Sequence, residues 1–276
     1  MSTRTAYVLE PSAAEVDRLL TASRLLAPLV AEACDRAGLG AGGRLIDVGC
    51  GPLGALGVLS DLVGPSGTVV GVDLDAMALA AARAALARLG ADNVHLLQAD
   101  ANHLTQADLG AGEFDVAFCR LVLMHQPDPA ATLRVLAALL RPGGRVIAFD
   151  FFNPPTCEPE VPAITRAWQL IIAATRAKGA SPNASREYAA LCAAAGLTVV
   201  SQRGFFLPVP PSVVLTDSAV LLSGARRGVE AAGLATADEV DDILAGLNAE
   251  AMPTGLRAYS PETMELIAAK PESLAA

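Results

Sequence analysis

The segment Arg44-Leu-Ile-Asp-Val-Gly-Cys-Gly-Pro-Leu-Gly54 constrains this chain most, because a short apolar run ends in an acid and then in glycines that let a ligand approach the backbone. It reads as strand, tight turn and helix. Gly49 and Gly51 can take backbone angles that a Cβ forbids, and Pro52 has a fixed φ suited to the first turn of the helix that follows. A ligand's polar end is expected at that helix start, where unpaired N–H groups point outward.

The same residues satisfy Gly-x-Gly-x-x-Gly, with an acid, Asp73, roughly twenty residues further on, which is also the spacing of a dinucleotide site. An NAD-dependent oxidoreductase is therefore one reading. Around the motif the chain alternates. Strands are expected at Arg44 to Val48, Thr68 to Val72, Val94 to Gln98, Phe114 to Cys119 and Arg145 to Asp150, each a short apolar run bounded by turn residues. Asp75 and Asp128-Pro129 have the chemistry of helix starts, and Gly90 that of a helix stop. Strands alternating with helices imply a parallel sheet covered on both faces, with ligands beyond the carboxyl ends of the strands. Asp73, Asp100, Arg120 and Asp150 all fall there.

Before the sheet, Ser12-Ala-Ala-Glu15 has the capping-box pattern of a helix that Pro28 is expected to bend or split. After it come helices over Pro159 to Lys178 and Pro182 to Ala195, then a sixth strand over Leu197 to Gly204. The prolines of Phe205-Phe-Leu-Pro-Val-Pro-Pro211 cannot donate to a ladder, so that strand does not fold back as a tight hairpin. Ser212 to Ala232 reads as helix, and a second capping box, Thr236-Ala-Asp-Glu239, opens another. Met264 to Lys270 is read as a seventh strand, although its pattern also fits a helix. The expected units are an N-terminal helical arm at 1–43, an α/β core at 44–204, a helical cap at 205–260 and a C-terminal strand and tail at 261–276. The fold class is a doubly wound, mostly parallel, seven-stranded α/β sheet.

Composition narrows the function. No apolar run reaches the length that spans a bilayer, and no signal-peptide core follows Met1, so a cytoplasmic protein away from membranes is expected. The formal charge of −9, with Arg226-Arg227 as the one adjacent basic pair, argues against nucleic-acid substrates. The 5 cysteines form no Cys-x-x-Cys and imply neither a disulfide framework nor a zinc site.

Taken in order, Asp-Val-Gly-Cys-Gly (Asp47 to Gly51), Val-Asp-Leu-Asp (Val72 to Asp75), Gln-Ala-Asp-Ala (Gln98 to Ala101), Leu-Met-His-Gln-Pro-Asp-Pro (Leu123 to Pro129) and Arg-Pro-Gly-Gly (Arg141 to Gly144) resemble the motifs of class I S-adenosylmethionine-dependent methyltransferases. The resemblance covers roughly Arg44 to Gly204. It implies S-adenosylmethionine as cofactor and S-adenosylhomocysteine as product. Gly49, Cys50 and Gly51 would admit the methionine end, whose amino group would meet backbone carbonyls near Gly49 and Arg120, with Asp47 at that site or only ordering the turn; Asp73 would take the ribose hydroxyls, Leu74 and Met77 the adenine faces, and Asp100 with the Ala101 N–H the adenine edge. Arg120 stands where metal-dependent relatives carry an acid, so no metal is expected.

His125 is a candidate general base, against the reading that a histidine at this place is common in the family without being catalytic. Tyr7, His125, Phe151, Asn153, Trp168, Phe205 and Tyr259 are candidates for an acceptor pocket, with core packing as the alternative for each aromatic. Asn153-Pro-Pro-Thr156 reads as a plain turn. The arm and cap would form a lid. The resulting expectation is methyl transfer to O, N or C of a small-molecule acceptor, with a homodimer compatible. The acidic, alanine-rich character is also similar to actinobacterial methyltransferases of secondary metabolism. A binder or an enzyme of another type on a methyltransferase scaffold is the remaining alternative.

Overall fold

The computed structural model describes residues 13–109, 113–247 and 253–272. In chain order its elements are α1 (Ala13–Arg36), β1 (Arg44–Val48), α2 (Leu56–Val63), β2 (Thr68–Asp73), α3 (Ala76–Leu89), β3 (Val94–Gln98), β4 (Phe114–Arg120), α4 (Pro129–Leu139), β5 (Leu140–Asn153), β6 (Thr156–Glu158), α5 (Pro162–Ala177), α6 (Tyr188–Ala194), β7 (Thr198–Phe205), β8 (Pro208–Val209), α7 (Pro211–Ala231), α8 (Ala237–Gly246), β9 (Arg257–Tyr259) and β10 (Glu262–Ala269), with short 3-10 turns between some of them. The main sheet has 7 strands in the order β3-β2-β1-β4-β5-β10-β7. β10 runs antiparallel to both its neighbours, and the other pairings are parallel.

Side-chain alternation along the strands explains how both faces are covered. Ile46, Val48, Val70, Val72, Val146 and Ala148 face one core, with Leu133 and Leu136 of α4 and Tyr188 and Cys192 of α6. Leu45, Val69, Phe118, Ile147 and Phe149 face the other, under α1, α2 and α3. The strand order reverses between β1 and β4, so their carboxyl ends open the crevice in which doubly wound sheets bind ligands.

The helix starts follow local chemistry. Asp75 accepts from the Met77 N–H and Asp128 from the Ala131 N–H, while Thr236 and Glu239 complete a capping box. Three expectations change. Pro28 lies inside a continuous α1; burial of Val30, Ala33 and Cys34 outweighs the lost backbone bond. Pro52 stands in the turn, ahead of a helix that begins only at Leu56. Pro208 does enter a strand, β8, at the edge of a small sheet ordered β6-β9-β8, where a missing donor is tolerated. Ser12 lies outside the described residues.

The cap is also built differently. α5 was expected within the 44–204 core, yet Ile164, Ala167, Trp168 and Ile171 pack with Val214, Leu222 and Val229 of α7 and Val240 of α8 in a third apolar cluster. The segments packed in that cluster come from two places in the chain, one after β5 and one after β7. Phe205, expected to begin the cap, ends β7, where it pairs with Thr263 and sets its ring against Phe149 at 6.1 Å.

The second half of α1 is fastened to the sheet edge. Buried Glu265 of β10 accepts from Arg36 and, at 3.1 Å, from Arg203, which also bonds Glu32 at 2.9 Å. A buried carboxylate with two guanidinium partners holds its elements in one register, because separating it from both leaves a buried charge uncompensated. No described helix is long and apolar enough to cross a membrane.

Candidate active site

The turn after β1 is organised by one carboxylate. Asp73, at the end of β2, accepts the Gly51 N–H at Oδ2 (2.8 Å) and the Asp75 N–H at Oδ1 (2.9 Å). The Gly49 and Cys50 N–H groups both reach the Val72 carbonyl, at 2.7 and 3.0 Å. Both Asp73 oxygens keep a second lone pair for a ligand. Gly49 and Gly51 have φ of 72° and 61°, a region that side chains resist. A Cβ on Gly49 would overlap Val122, whereas one on Gly51 would meet nothing within 4 Å. Gly49 is thus required by packing, and Gly51 faces the open crevice. The Cys50 side chain is buried in the core, and its thiol is pushed up by burial, so only its backbone borders the turn.

Beside Asp73, Leu74 is 42% and Met77 75% exposed, an apolar pair presented to solvent next to a carboxylate. Asp100 accepts the Asn102 N–H at 2.9 Å and faces His103 Nδ1 at 3.2 Å. Ala101 packs on the core beneath. These residues share the carboxyl edge of β1, β2 and β3.

Across the crevice lie Asp47 and Arg120, on the paired strands β1 and β4. Asp47 is 2% exposed, and its Oδ2 has no hydrogen-bond partner among the described residues; the same holds for Arg120 Nη1, while Arg120 Nη2 bonds Ser23 Oγ of α1 at 2.8 Å. Burial pushes the Asp47 carboxyl up to about 8, with Arg120 pulling it down and Asp73 pushing it further up. Burial also works against the Arg120 charge. An unsatisfied acceptor and an unsatisfied cationic donor, both buried, call for a ligand that carries an ammonium and a carboxylate together.

The segment after β4 forms the remaining wall. Leu121 has φ 56°, a strained value for a residue with a Cβ, and its N–H bonds the Phe149 carbonyl at 2.7 Å. Asp150, fully buried at the end of β5, accepts from the Val122 and Met124 N–H groups and from Tyr188 Oη at 2.9 Å. Burial pushes this carboxyl up to about 7. Asp150 and Tyr188 therefore set the turn Leu123–His125 and, through Val122, the floor under Gly49. Tyr188→Phe is expected to cost about 1 kcal/mol of stability, since one acceptor site loses its donor inside the core. Urea denaturation measures that cost, and hydrogen exchange should be faster at Val122 and Met124. Unchanged exchange there would detach the clamp from the turn.

His125 ends this turn, and burial with Arg18 nearby pushes it down to about 4. It is neutral near pH 7 but a weak acceptor for a hydroxyl proton. A cavity with about 60 Å³ of space lies between the carboxyl edge, α1, α5 and α7, walled by Leu121, Phe151, Trp168 and Val214 with Arg18 and Asp217 among its polar residues. Of the expected pocket residues, Phe151 and Trp168 reach it, their rings 5.5 Å apart. Asn153 is held between Glu262 and Arg186. Phe205 is half-buried against the core beside Phe149, and Tyr259 sits in β9 with its ring on Phe206 at 5.4 Å. Tyr7 lies outside the described residues. Leu121 and Tyr188 were not among the expected site residues, and Asp150 was expected at the ligand edge without a role. Asp150 had a strand-end position to suggest it, and Tyr188, 38 residues away, had no linear signal.

The model of a family described as a methyltransferase domain matches residues 39–192, more than half of the chain. The chain belongs to the class I methyltransferases. A ubiquinone biosynthesis O-methyltransferase of Aromatoleum aromaticum is 40% identical over 124 residues, 43% of this methyltransferase and 48% of the relative. The chain spans about half the length of several of the curated relatives it matches. Among solved structures, the YcgJ protein of Bacillus subtilis (TM-score 0.59, 18% identity, 91% of this chain and 100% of that one) and the [4+2]-cyclase SpnF (TM-score 0.55, 19% identity, 90% and 82%) share the fold.

Proposed function

We propose that this methyltransferase moves a methyl group from S-adenosylmethionine to a hydroxyl oxygen of a small-molecule acceptor, without a metal. The observation that carries the reading is the buried pair of unsatisfied atoms, Asp47 Oδ2 and Arg120 Nη1, with Asp47 close enough to feel the charge of Asp73, which holds the Gly51 turn. An α-amino-acid end satisfies both, with its ammonium on Asp47 and its carboxylate on Arg120. The pyrophosphate of NAD would instead bring negative charge toward Asp47 and no cation to satisfy that carboxylate, which disfavours the dinucleotide reading.

When bound, the cofactor would supply an electrophilic methyl on its sulfonium, the C–S electron pair remaining on sulfur as the acceptor oxygen takes the methyl and the hydroxyl's proton passes to solvent water. Asp73 would accept from the ribose hydroxyls through its free lone pairs. Leu74 and Met77 would cover the adenine, with Asp100 and the Ala101 N–H at its edge. Leu121, Phe151 and Trp168 would hold the acceptor and exclude water. Alignment of this kind contributes up to about 10 kcal/mol of barrier reduction, and His125, pushed down to about 4, is not given the base role. The names of the matched relatives support oxygen as the acceptor atom; they refer to ubiquinone biosynthesis and not to secondary metabolism. The first half of α1, α5 and α7 would together close the acceptor side.

The test is S-adenosylhomocysteine formation from S-adenosylmethionine with a panel of phenols, catechols and alcohols. Acceptor-dependent product supports the reading. Firm cofactor binding with no product from any acceptor would favour a non-methylating enzyme on this scaffold, a use of the fold that the SpnF likeness makes concrete.

A linked expectation follows from Asp47. A ligand ammonium favours the ionised carboxylate, so binding near neutral pH releases a proton, and affinity rises as pH increases toward about 8. Calorimetry in buffers of different ionisation enthalpy measures the release. Asp47→Asn should abolish it, and buffer-independent heats in the unmutated protein would remove Asp47 from the ligand's amino end.

A further inference from the structure

Asp47 and Arg120 lie on one face of the sheet. Asp47 pairs with Phe118 across β1 and β4; paired residues point to the same side, and so does Arg120, two residues beyond Phe118. Leu45 and Phe118 mark that side as the one α1 covers, since they share a core with Val30, Ala33 and Cys34 of that helix. A carboxylate and a guanidinium so placed, each with a buried atom that has no hydrogen-bond partner among the described residues, would gain by turning toward each other. A pair closed in that way offers nothing to a ligand.

One contact holds the guanidinium off the carboxylate, and it comes from α1. Half-buried Ser23 donates its hydroxyl proton to the Leu19 carbonyl, one turn back, at 2.7 Å. Its oxygen is thereby left to act as an acceptor, and Arg120 Nη2 donates to it at 2.8 Å. The guanidinium is a rigid planar fork, so fixing Nη2 also fixes the direction of Nη1. Arginine is otherwise a long side chain with many rotamers, and the hydroxyl removes that freedom before a ligand arrives.

Resting on the methyltransferase reading, we propose that Ser23 is a positioning residue for cofactor binding: it holds the Arg120 guanidinium off Asp47, so that both charges stay open to the two ends of the ligand's amino-acid group. Without the hydroxyl, Arg120 turns to Asp47, and a ligand must separate that pair before it binds. The loss falls on the amino-acid end, while the adenosine side at Asp73, Leu74 and Asp100 is untouched. The same helix carries Ala22, Leu25 and Leu26 into the wall of the neighbouring cavity, so the element that aims the cofactor's anchor also bounds the acceptor space.

The test titrates full-length protein calorimetrically with S-adenosylhomocysteine and with 5′-methylthioadenosine, which keeps the adenosine and the thioether but lacks the amino-acid end. Ser23→Ala should weaken S-adenosylhomocysteine at least fivefold and 5′-methylthioadenosine less than twofold. In an Arg120→Gln background, where no guanidinium is left to aim, the same substitution should cost less than twofold. Alanine suits a helix at least as well as serine, so α1 itself should be kept. A role in holding the fold alone would weaken both ligands together and would act in either background. Unchanged S-adenosylhomocysteine affinity in Ser23→Ala, equal losses for the two ligands, or a fivefold loss that persists in Arg120→Gln would overturn the proposal. Failure of S-adenosylhomocysteine to bind the unmutated protein would overturn the methyltransferase reading beneath it, and the proposal with it.

Discussion

Asp73→Ala is expected to weaken S-adenosylhomocysteine binding by about 2 kcal/mol or more, roughly thirtyfold. The carboxylate has two tasks in this structure. Its oxygens hold the Gly51 and Asp75 N–H groups, which shapes the turn, and their remaining lone pairs face the place where a ribose would lie. Alanine removes the charge-assisted partners of the ligand hydroxyls while leaving those hydroxyls desolvated. Asp73→Asn, with one acceptor oxygen, should lose less. Calorimetry on both variants decides the point, with thermal unfolding as a control for the turn. A dissociation constant unchanged in Asp73→Ala would take this residue out of the site.

Gly51→Val should reduce binding by more than a hundredfold, because the branched side chain projects into the crevice where no protein atom lies within 4 Å. It also imposes a φ of 61° on a β-branched residue, at about 1–3 kcal/mol of strain. The protein should still fold, with a lowered midpoint. Gly49→Ala provides the contrast. There the added Cβ meets Val122, so the loss should appear first in stability. If Gly51→Val binds S-adenosylhomocysteine normally, the glycines serve the turn alone and the crevice is not the cofactor site.

These two glycines also show what a linear reading captures. Positive φ, strand ends and caps depend on a few adjacent residues, so β1 to β4, the Asp75, Asp128 and Thr236 starts and the order of the ligand-edge acids were legible from local pattern. β10 was less so, since Met264 to Lys270 carries nearly continuous apolar character suited to a helix as well; burial on both faces between β5 and β7 explains the run. Side chains that act across long separations were not legible. Asp150 meets Tyr188 only because α6 returns beneath β5, and Arg120 meets Ser23 only because α1 crosses the sheet end. The placement of α5 in the cap depended on whether Trp168 and Ile171 face the sheet or α7, and an amphipathic stripe carries no partner's name. Phe205 and Tyr259 were drawn to the pocket by their aromatic character, which packing elsewhere satisfies as well.

The unsatisfied Asp47 and Arg120 atoms predict that the crevice between β1 and β4 takes a ligand with an α-amino-acid end. Calorimetric titration of the same protein with S-adenosylhomocysteine and with NAD tests it most directly. One equivalent of S-adenosylhomocysteine should bind, with the affinity lost in Asp47→Asn combined with Arg120→Gln, and NAD should give no heat of binding. Binding of NAD without S-adenosylhomocysteine, or S-adenosylhomocysteine binding that survives the double substitution unchanged, would contradict the account.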